Sequence, residues 1–297
     1  MHVAPPPYLP FLDPHKGRPP GLFALDPVDW IEIDAAYRPQ MAYRDQLIAE
    51  RPDEVALALP EADEPVAELT EMVVAHLAAL PGGGFLPLTG SLRRPDGVTV
   101  IATGRPGALG RFAQEDWLIL QRSSDAAEYM LTAGNLCFPS HWRLEDKLGK
   151  PLTPIHDPVP GYGEDLARRV NRVFDALHAD RPLQRLNWSV VEEGELRLAG
   201  SRAERGRAGP GAPDEAFFLR VERQTLRRLP RSGAVVFGVK TYVSPLSYLP
   251  QEALAPLRER LSAMPGALVD YKGGAGFRRA VLALLDDRIA APRRLAP

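Results

Sequence analysis

Two groups of short β-type runs constrain the fold of this chain more than any other feature. The first, within residues 98–138, contains VTVIAT, DWLILQR and EYMLTAGNLCF; the second, within residues 185–243, contains RLNWSVVEE, ELRLAG, FFLRVER and AVVFGVKTYV. Apolar residues at helical spacing predict helices around them, at residues 37–51, 64–80, 163–179, 251–264 and 276–289. Successive strands with short connections and flanking helices predict a mostly antiparallel sheet and an α+β fold.

The length of 297 residues suits one large domain or two small ones, and we expect a single domain spanning residues 1–297. Residues 1–28 are rich in proline and lack periodicity, yet they carry apolar side chains such as Phe11 and Phe23 that need burial. We therefore expect an extended N-terminal arm that packs on the surface. The composition of residues 201–214, SRAERGRAGPGAPD, predicts a mobile loop.

Composition and cysteine content exclude several functions. The net charge of −2 disfavours nucleic-acid binding, and apolar runs such as GAVVFGV are too short to span a membrane. The N-terminus lacks the apolar segment of a secretory signal, and a single cysteine cannot form an internal disulfide, so we expect a cytoplasmic protein. One cysteine also cannot hold an iron–sulfur cluster or a zinc ribbon, and GRPGALG is a poor nucleotide loop. Any redox chemistry would need electrons from another polypeptide.

The segment CFPSHWRLEDKLGKPLTPIHDPVP, residues 137–160, holds the first candidate ligands. Proline fixes φ and extends the residue before it, so His156 is predicted to lie on a rigid, irregular segment suited to a metal or haem ligand. A hydrogen-bonded structural histidine is the alternative, and His141 is a rival ligand. Cys137 ends an apolar β run, which favours a buried, inert thiol over a haem thiolate. Trp142 is predicted to belong to the core.

Residues 217–231 provide the second candidate cluster. Apolar and polar residues alternate in FFLRVER, which places Arg220 and Glu222 together on one face of a strand. The period then turns helical, which predicts a short helix carrying Arg223 and Arg227 one turn apart. An ion-paired surface is one interpretation. The other is a functional site, because arginine can bind a propionate and glutamate can hold an alkylammonium or relay a proton.

Four phrases, in the same order along the chain, resemble the haem-dependent oxidative N-demethylase alpha-subunit-like family. They are PFLDPHKGRPPGLFAL, FPSHW…EDKLGKPLTPIHDPVP, RLNWSVV and FFLRVERQTLRRLPRSGAVVFGVKTYVSPL. The resemblance implies a PAS-like haem-binding domain in the catalytic subunit of an O₂-dependent monooxygenase that removes formaldehyde from a small methylated amine. It implies that His156 is the axial metal ligand of haem b.

The resemblance also favours functional roles for the arginine and glutamate cluster. Glu222 and Arg223 are then the catalytic candidates, and Arg220, Arg227 and Trp188 are the cofactor-binding candidates. The implied partners are reductase subunits that carry FMN and a [2Fe–2S] cluster and are fed by NADPH, with tetrahydrofolate as formaldehyde acceptor. A haem sensor without catalysis and a scaffold without haem remain the alternatives.

Overall fold

The computed structural model describes residues 5–13, 21–161, 164–200 and 216–290. The predicted mobile loop at residues 201–214 lies outside the described residues. In the described parts of the N-terminal arm, Phe11 is buried and Phe23 begins a short strand.

Seven strands form one sheet, in which every neighbouring pair is antiparallel and the order is β1-β8-β9-β10-β6-β7-β2. These strands are β1 (Phe23–Ala24), β2 (Ala56–Ala58), β6 (Asp116–Gln121), β7 (Met130–Asn135), β8 (Leu183–Val191), β9 (Phe218–Arg228) and β10 (Val235–Pro245). A second, three-stranded sheet consists of β3 (Leu86–Leu88), β4 (Ser91–Arg93) and β5 (Thr99–Ile101).

The helices lie between and beyond the strands. They are α1 (Tyr37–Glu50), α2 (Pro52–Val55), α3 (Asp63–Ala79), α4 (Pro106–Leu109), α5 (Leu152–His156), α6 (Glu164–Asp175), α7 (Gln251–Ser262), α8 (Gly266–Tyr271) and α9 (Gly274–Ala290). The predicted helices at residues 37–51, 64–80, 251–264 and 276–289 are confirmed to within two residues at either end. Helix and antiparallel sheet together confirm the α+β fold. In the described part of the chain, no helix has the length and apolar character that crossing a membrane requires.

Two local predictions are wrong. The short helix expected after Arg223 does not form, because β9 continues as a strand to Arg228 with partners on both sides. Backbone pairing with β8 and β10 outweighs the local helical spacing of Leu226 and Leu229. The expected strand ELRLAG is reduced to one isolated bridge between Leu198 and Ser140.

The large sheet has two faces that carry different side chains, because side chains alternate along a strand and directly paired residues share a face. We call the front face the one that carries Arg220 and Glu222 of β9, together with their cross-strand partners Ser189 and Asn187. The back face carries the intervening residues, such as Val221.

Two helical layers cover the back face. Leu219 and Val221 pack against α7 and α9, whereas Trp117 and Val236 pack against α3 and Trp30. The front face is covered by residues 137–156 and α6. Leu118, Leu120 and Leu226 of the sheet pack there against Leu144, Leu152, Ile155 and Phe174. The cover segment, residues 137–156, therefore places His156 on the front face of the sheet, which also carries Arg220 and Glu222.

Arg44 fixes the start of the cover segment. It is completely buried and donates all five N–H groups, to the carbonyls of Gly110, Gln114 and Glu115 and to the side chains of Asp116 and Asn135. The Asp116 carboxylate in turn accepts from the backbone N–H groups of Cys137 and Phe138, at 2.7 and 2.9 Å. This network holds α1, β6, β7 and the cover segment in one arrangement.

Candidate functional site

His156 lies at the end of helix α5 and not on the irregular segment that its proline neighbours predicted. Pro151 precedes the helix and Pro154 lies in its first turn, where proline is tolerated, and Pro158 and Pro160 only follow it. The imidazole is partly buried, and Nδ1 lies 2.8 Å from the Leu152 carbonyl oxygen. When Nδ1 donates to this carbonyl, Nε2 carries the lone pair that a metal needs.

Charged groups surround this histidine. Burial lowers the pKa of His156; the backbone hydrogen bond opposes this, and the positive charges of Lys147 and Arg185 lower the pKa further. The neutral imidazole is thus favoured, which is the form that binds a metal. Glu222 of the front face interacts electrostatically with both cations.

Glu222 is held in one orientation by its neighbours on the front face. Its Oε2 accepts hydrogen bonds from Asn187 Nδ2 at 3.1 Å and from Gln224 Nε2 at 2.9 Å. Its Oε1 lies 3.5 Å from Arg220 Nε. The Glu222 side chain is 14% exposed, so the carboxylate is largely shielded from solvent but not fully buried.

Arg185 is a site residue that the sequence interpretation missed. It is partly buried on β8, and its direct partner Gln224 places it on the front face. Burial lowers its pKa, and the negative charge of Glu222 opposes that shift. No hydrogen bond of the guanidinium joins it to any residue in the described ranges. The available signal was its place in RLNWSVV, two residues before Asn187 and therefore on the same face.

Lys147 also belongs to this cluster. Its Nζ lies 4.5 Å from the centroid of the Trp142 ring. Burial lowers its pKa to about 8, against the opposing effects of Asp146 and Glu222. Trp142 is partly buried against the front-face core, so the prediction that it belongs to the core is correct only in part.

Arg220 contacts the site through its ion pair with Glu222, and its shortest hydrogen bonds go to backbone carbonyls. Its guanidinium donates to the carbonyl oxygens of Phe138 at 2.7 Å, Leu196 at 3.0 Å and Pro139 at 3.3 Å. Arg220 therefore ties the cover segment to the strand that carries Glu222.

Three of the predicted site residues lie on the back face, away from His156. Because β9 continues as a strand, Arg223 and Arg227 alternate to the side opposite Glu222, and Trp188 pairs with Val221 there. Arg223 pairs with Glu32 at 3.0 Å, and the Arg227 guanidinium lies 4.6 Å from the Trp30 ring centroid. Trp188 packs edge-on against Phe11. The structure does not bring these three together with the front-face cluster, which consists of Lys147, His156, Arg185 and Glu222.

The two rival ligands in the cover segment have different surroundings. His141 has a φ of 62°, the only positive φ of a non-glycine residue in the described ranges, and its backbone N–H donates to the Leu198 carbonyl. Cys137 is completely buried, and burial raises its pKa to about 12. The thiol is therefore protonated at neutral pH, in agreement with the predicted inert role.

A family model of the haem-dependent oxidative N-demethylase alpha-subunit-like proteins matches residues 21–81 and 104–282. The matched ranges contain every strand of the large sheet and all residues of the front-face cluster. The chain belongs to this family.

The front-face donors fit the haem in this family's description. A single imidazole on a helix can supply one axial ligand, and an iron atom in a porphyrin needs no other side chain to hold it. Arg185 offers a planar guanidinium with no hydrogen bond to any residue that the structure describes, which suits the carboxylate of a propionate. Glu222 lies on the same face, where its carboxylate can act as an acid or a base.

Proposed function

We propose that this chain is the haem-binding catalytic subunit of an O₂-dependent oxidative N-demethylase that acts on a small methylated amine. The observation that supports the proposal best is the convergence of His156, Arg185 and Glu222 between the front face and its cover segment. In this proposal His156 is the axial ligand of haem b and Arg185 binds a propionate. A PAS-like haem pocket and a cytoplasmic location belong to the same proposal.

The bound haem would supply the activation of O₂ that oxidises the N-methyl carbon. The balance for a tertiary amine is one amine, one O₂, two electrons and two protons, which give a carbinolamine and water. Breakage of its C–N bond then releases formaldehyde and the shorter amine. Glu222 would hold the substrate ammonium or deliver a proton, and its fixed orientation by Asn187 and Gln224 suits either role.

The Glu222→Gln variant tests the catalytic part of the proposal. Glutamine keeps the shape and hydrogen-bonding length but removes the charge and the proton-transfer capacity. We expect amine turnover to fall by about 10²-fold or more, since general acid–base groups contribute on this scale. Haem content, measured by the Soret band, should not change. Glu145→Gln, an exposed position on the cover segment, is the matched control. Wild-type turnover by Glu222→Gln would contradict the assigned role.

Electron supply is tested with the pure chain. With NADPH and a methylated amine alone, we expect no sustained formaldehyde release, because the single cysteine cannot hold an iron–sulfur cluster. A reductase carrying FMN and [2Fe–2S] should start turnover, and tetrahydrofolate would act as the formaldehyde acceptor. Sustained release without any reductase would contradict this part. A haem-loaded protein that never oxidises amines with a competent reductase would instead be a haem sensor.

A further inference from the structure

The contact between Lys147 and Trp142 is unusual for this molecule. Three lysine ammonium groups lie over aromatic rings in the described ranges: Lys147 over Trp142, Lys240 over Tyr242 and Lys272 over Trp188. Lys240 also donates hydrogen bonds to the Glu32 carbonyl and Gln114 Oε1, and Lys272 donates to the Trp188 carbonyl. Lys147 Nζ, in contrast, donates none to any residue that the structure describes.

Such a site does not satisfy the hydrogen-bond donors of a lysine ammonium. It carries three N–H donors and is strongly hydrated, so an aromatic face without acceptors leaves its hydrogen-bonding capacity unmet. Burial lowers its pKa accordingly. A methylated ammonium has fewer donors or none, and it is recognised by aromatic faces together with a nearby negative charge. Trp142 offers the ring, and Glu222 offers the charge.

Lys147 can also leave this position at low structural cost. It lies in a turn where its backbone N–H donates to the Leu144 carbonyl and where Gly149 takes the left-handed conformation at φ 74°. Its side chain is a flexible four-carbon stem. The backbone contacts of the turn do not involve that stem, so its rotation does not require the cover segment to move.

We propose that Trp142 is the substrate-recognition face for a methylated ammonium, with Glu222 as its counter-charge, and that Lys147 occupies this place until the substrate displaces it. This inference rests on the proposed function, because the cation that displaces Lys147 is the amine to be demethylated. It assigns Trp142 as a specificity-determining residue and predicts a preference for tertiary and secondary methylamines over ammonium.

Calorimetric titration of the full chain with tetramethylammonium chloride tests the proposal. Lys147→Met keeps the stem and removes the competing cation, so we expect the Kd to fall about tenfold. Adding Trp142→Leu to that variant should raise the Kd about tenfold or more, whereas Trp142→Phe should recover part of the affinity. Lys150→Met, an exposed lysine three residues away, is the matched control and should change the Kd less than twofold. Thermal melting monitors folding of each variant.

The outcomes separate this proposal from the proposed function. Unchanged tetramethylammonium affinity in folded Lys147→Met, or full affinity in the Trp142→Leu double variant, would overturn the cation site even when the Soret band is normal. The expected series of affinities in protein that never binds haem would support the cation site and overturn the oxidative function. Equal binding of tert-butanol, a neutral molecule of similar shape, would overturn the role of the charge.

Discussion

The His156→Ala variant is expected to show no Soret band, or one that is strongly weakened and shifted, after reconstitution with haem. His156 is the imidazole that the cover segment presents beside Lys147 and Arg185, and alanine removes this proposed axial ligand. No CxxCH motif is present, so haem attachment depends on such non-covalent contacts. Absorption spectra of the reconstituted wild type and variant, at equal protein concentration, measure the effect.

Imidazole and two other histidines serve as controls. Free imidazole added to His156→Ala should restore part of the band, because it can enter the space that the side chain vacates. His178→Ala removes an exposed histidine and should leave the spectrum unchanged. If His141→Ala loses the band while His156→Ala keeps a wild-type spectrum, the axial ligand is His141 and the assignment is wrong.

The Arg44→Met variant is expected to lose the most stability of any single substitution proposed for this chain. Methionine keeps much of the stem but leaves Asp116 and Asn135 without their partner, along with three backbone carbonyls. Removing one partner of a buried ion pair costs about 3–5 kcal/mol, which is a large part of a typical domain's stability. Urea unfolding followed by circular dichroism measures the free-energy change.

Two further variants identify the cause. Arg38→Met removes an arginine of the same helix that is exposed and donates to the Pro95 carbonyl, so about 1 kcal/mol or less is expected. In Arg44→Met with Asp116→Asn, the buried carboxylate is no longer left unpaired, so the combined loss should be smaller than the sum of the two single losses. Additive losses would show that the ion pair is not the source of the stability.

Local sequence patterns predicted most elements but not the full length of β9. Helix α3 could be predicted because Val66, Leu69, Val73 and Leu77 repeat at helical spacing and are all buried. Leu226 of β9 and Leu229, the residue that follows this strand, have the same spacing, yet the chain is a strand up to Arg228. Hydrogen bonding to β8 and β10 decides its conformation. The partners on β8, such as Leu183 opposite Leu226, are too distant in sequence for a local pattern to reveal.

The candidate site could be predicted in part for the same reason. Alternation within FFLRVER correctly placed Arg220 and Glu222 on one face, and that face is the one that His156 approaches. The positions of Arg223 and Arg227 depended on the helix that does not form. Arg185 and Lys147 join the site only because the cover segment folds over β8 and β9, and no local pattern contains that information.

The contacts of Arg220 affect how the site can be redesigned. Its shortest hydrogen bonds go to the carbonyl oxygens of Phe138, Pro139 and Leu196, and every amino acid offers that acceptor. A mutant library can therefore randomise the side chains at positions 139 and 196 without removing an acceptor of Arg220. Arg220 itself cannot be replaced in this way, because the single ammonium of a lysine cannot bind three carbonyls and Glu222. A library that varies the cover segment should therefore keep this arginine.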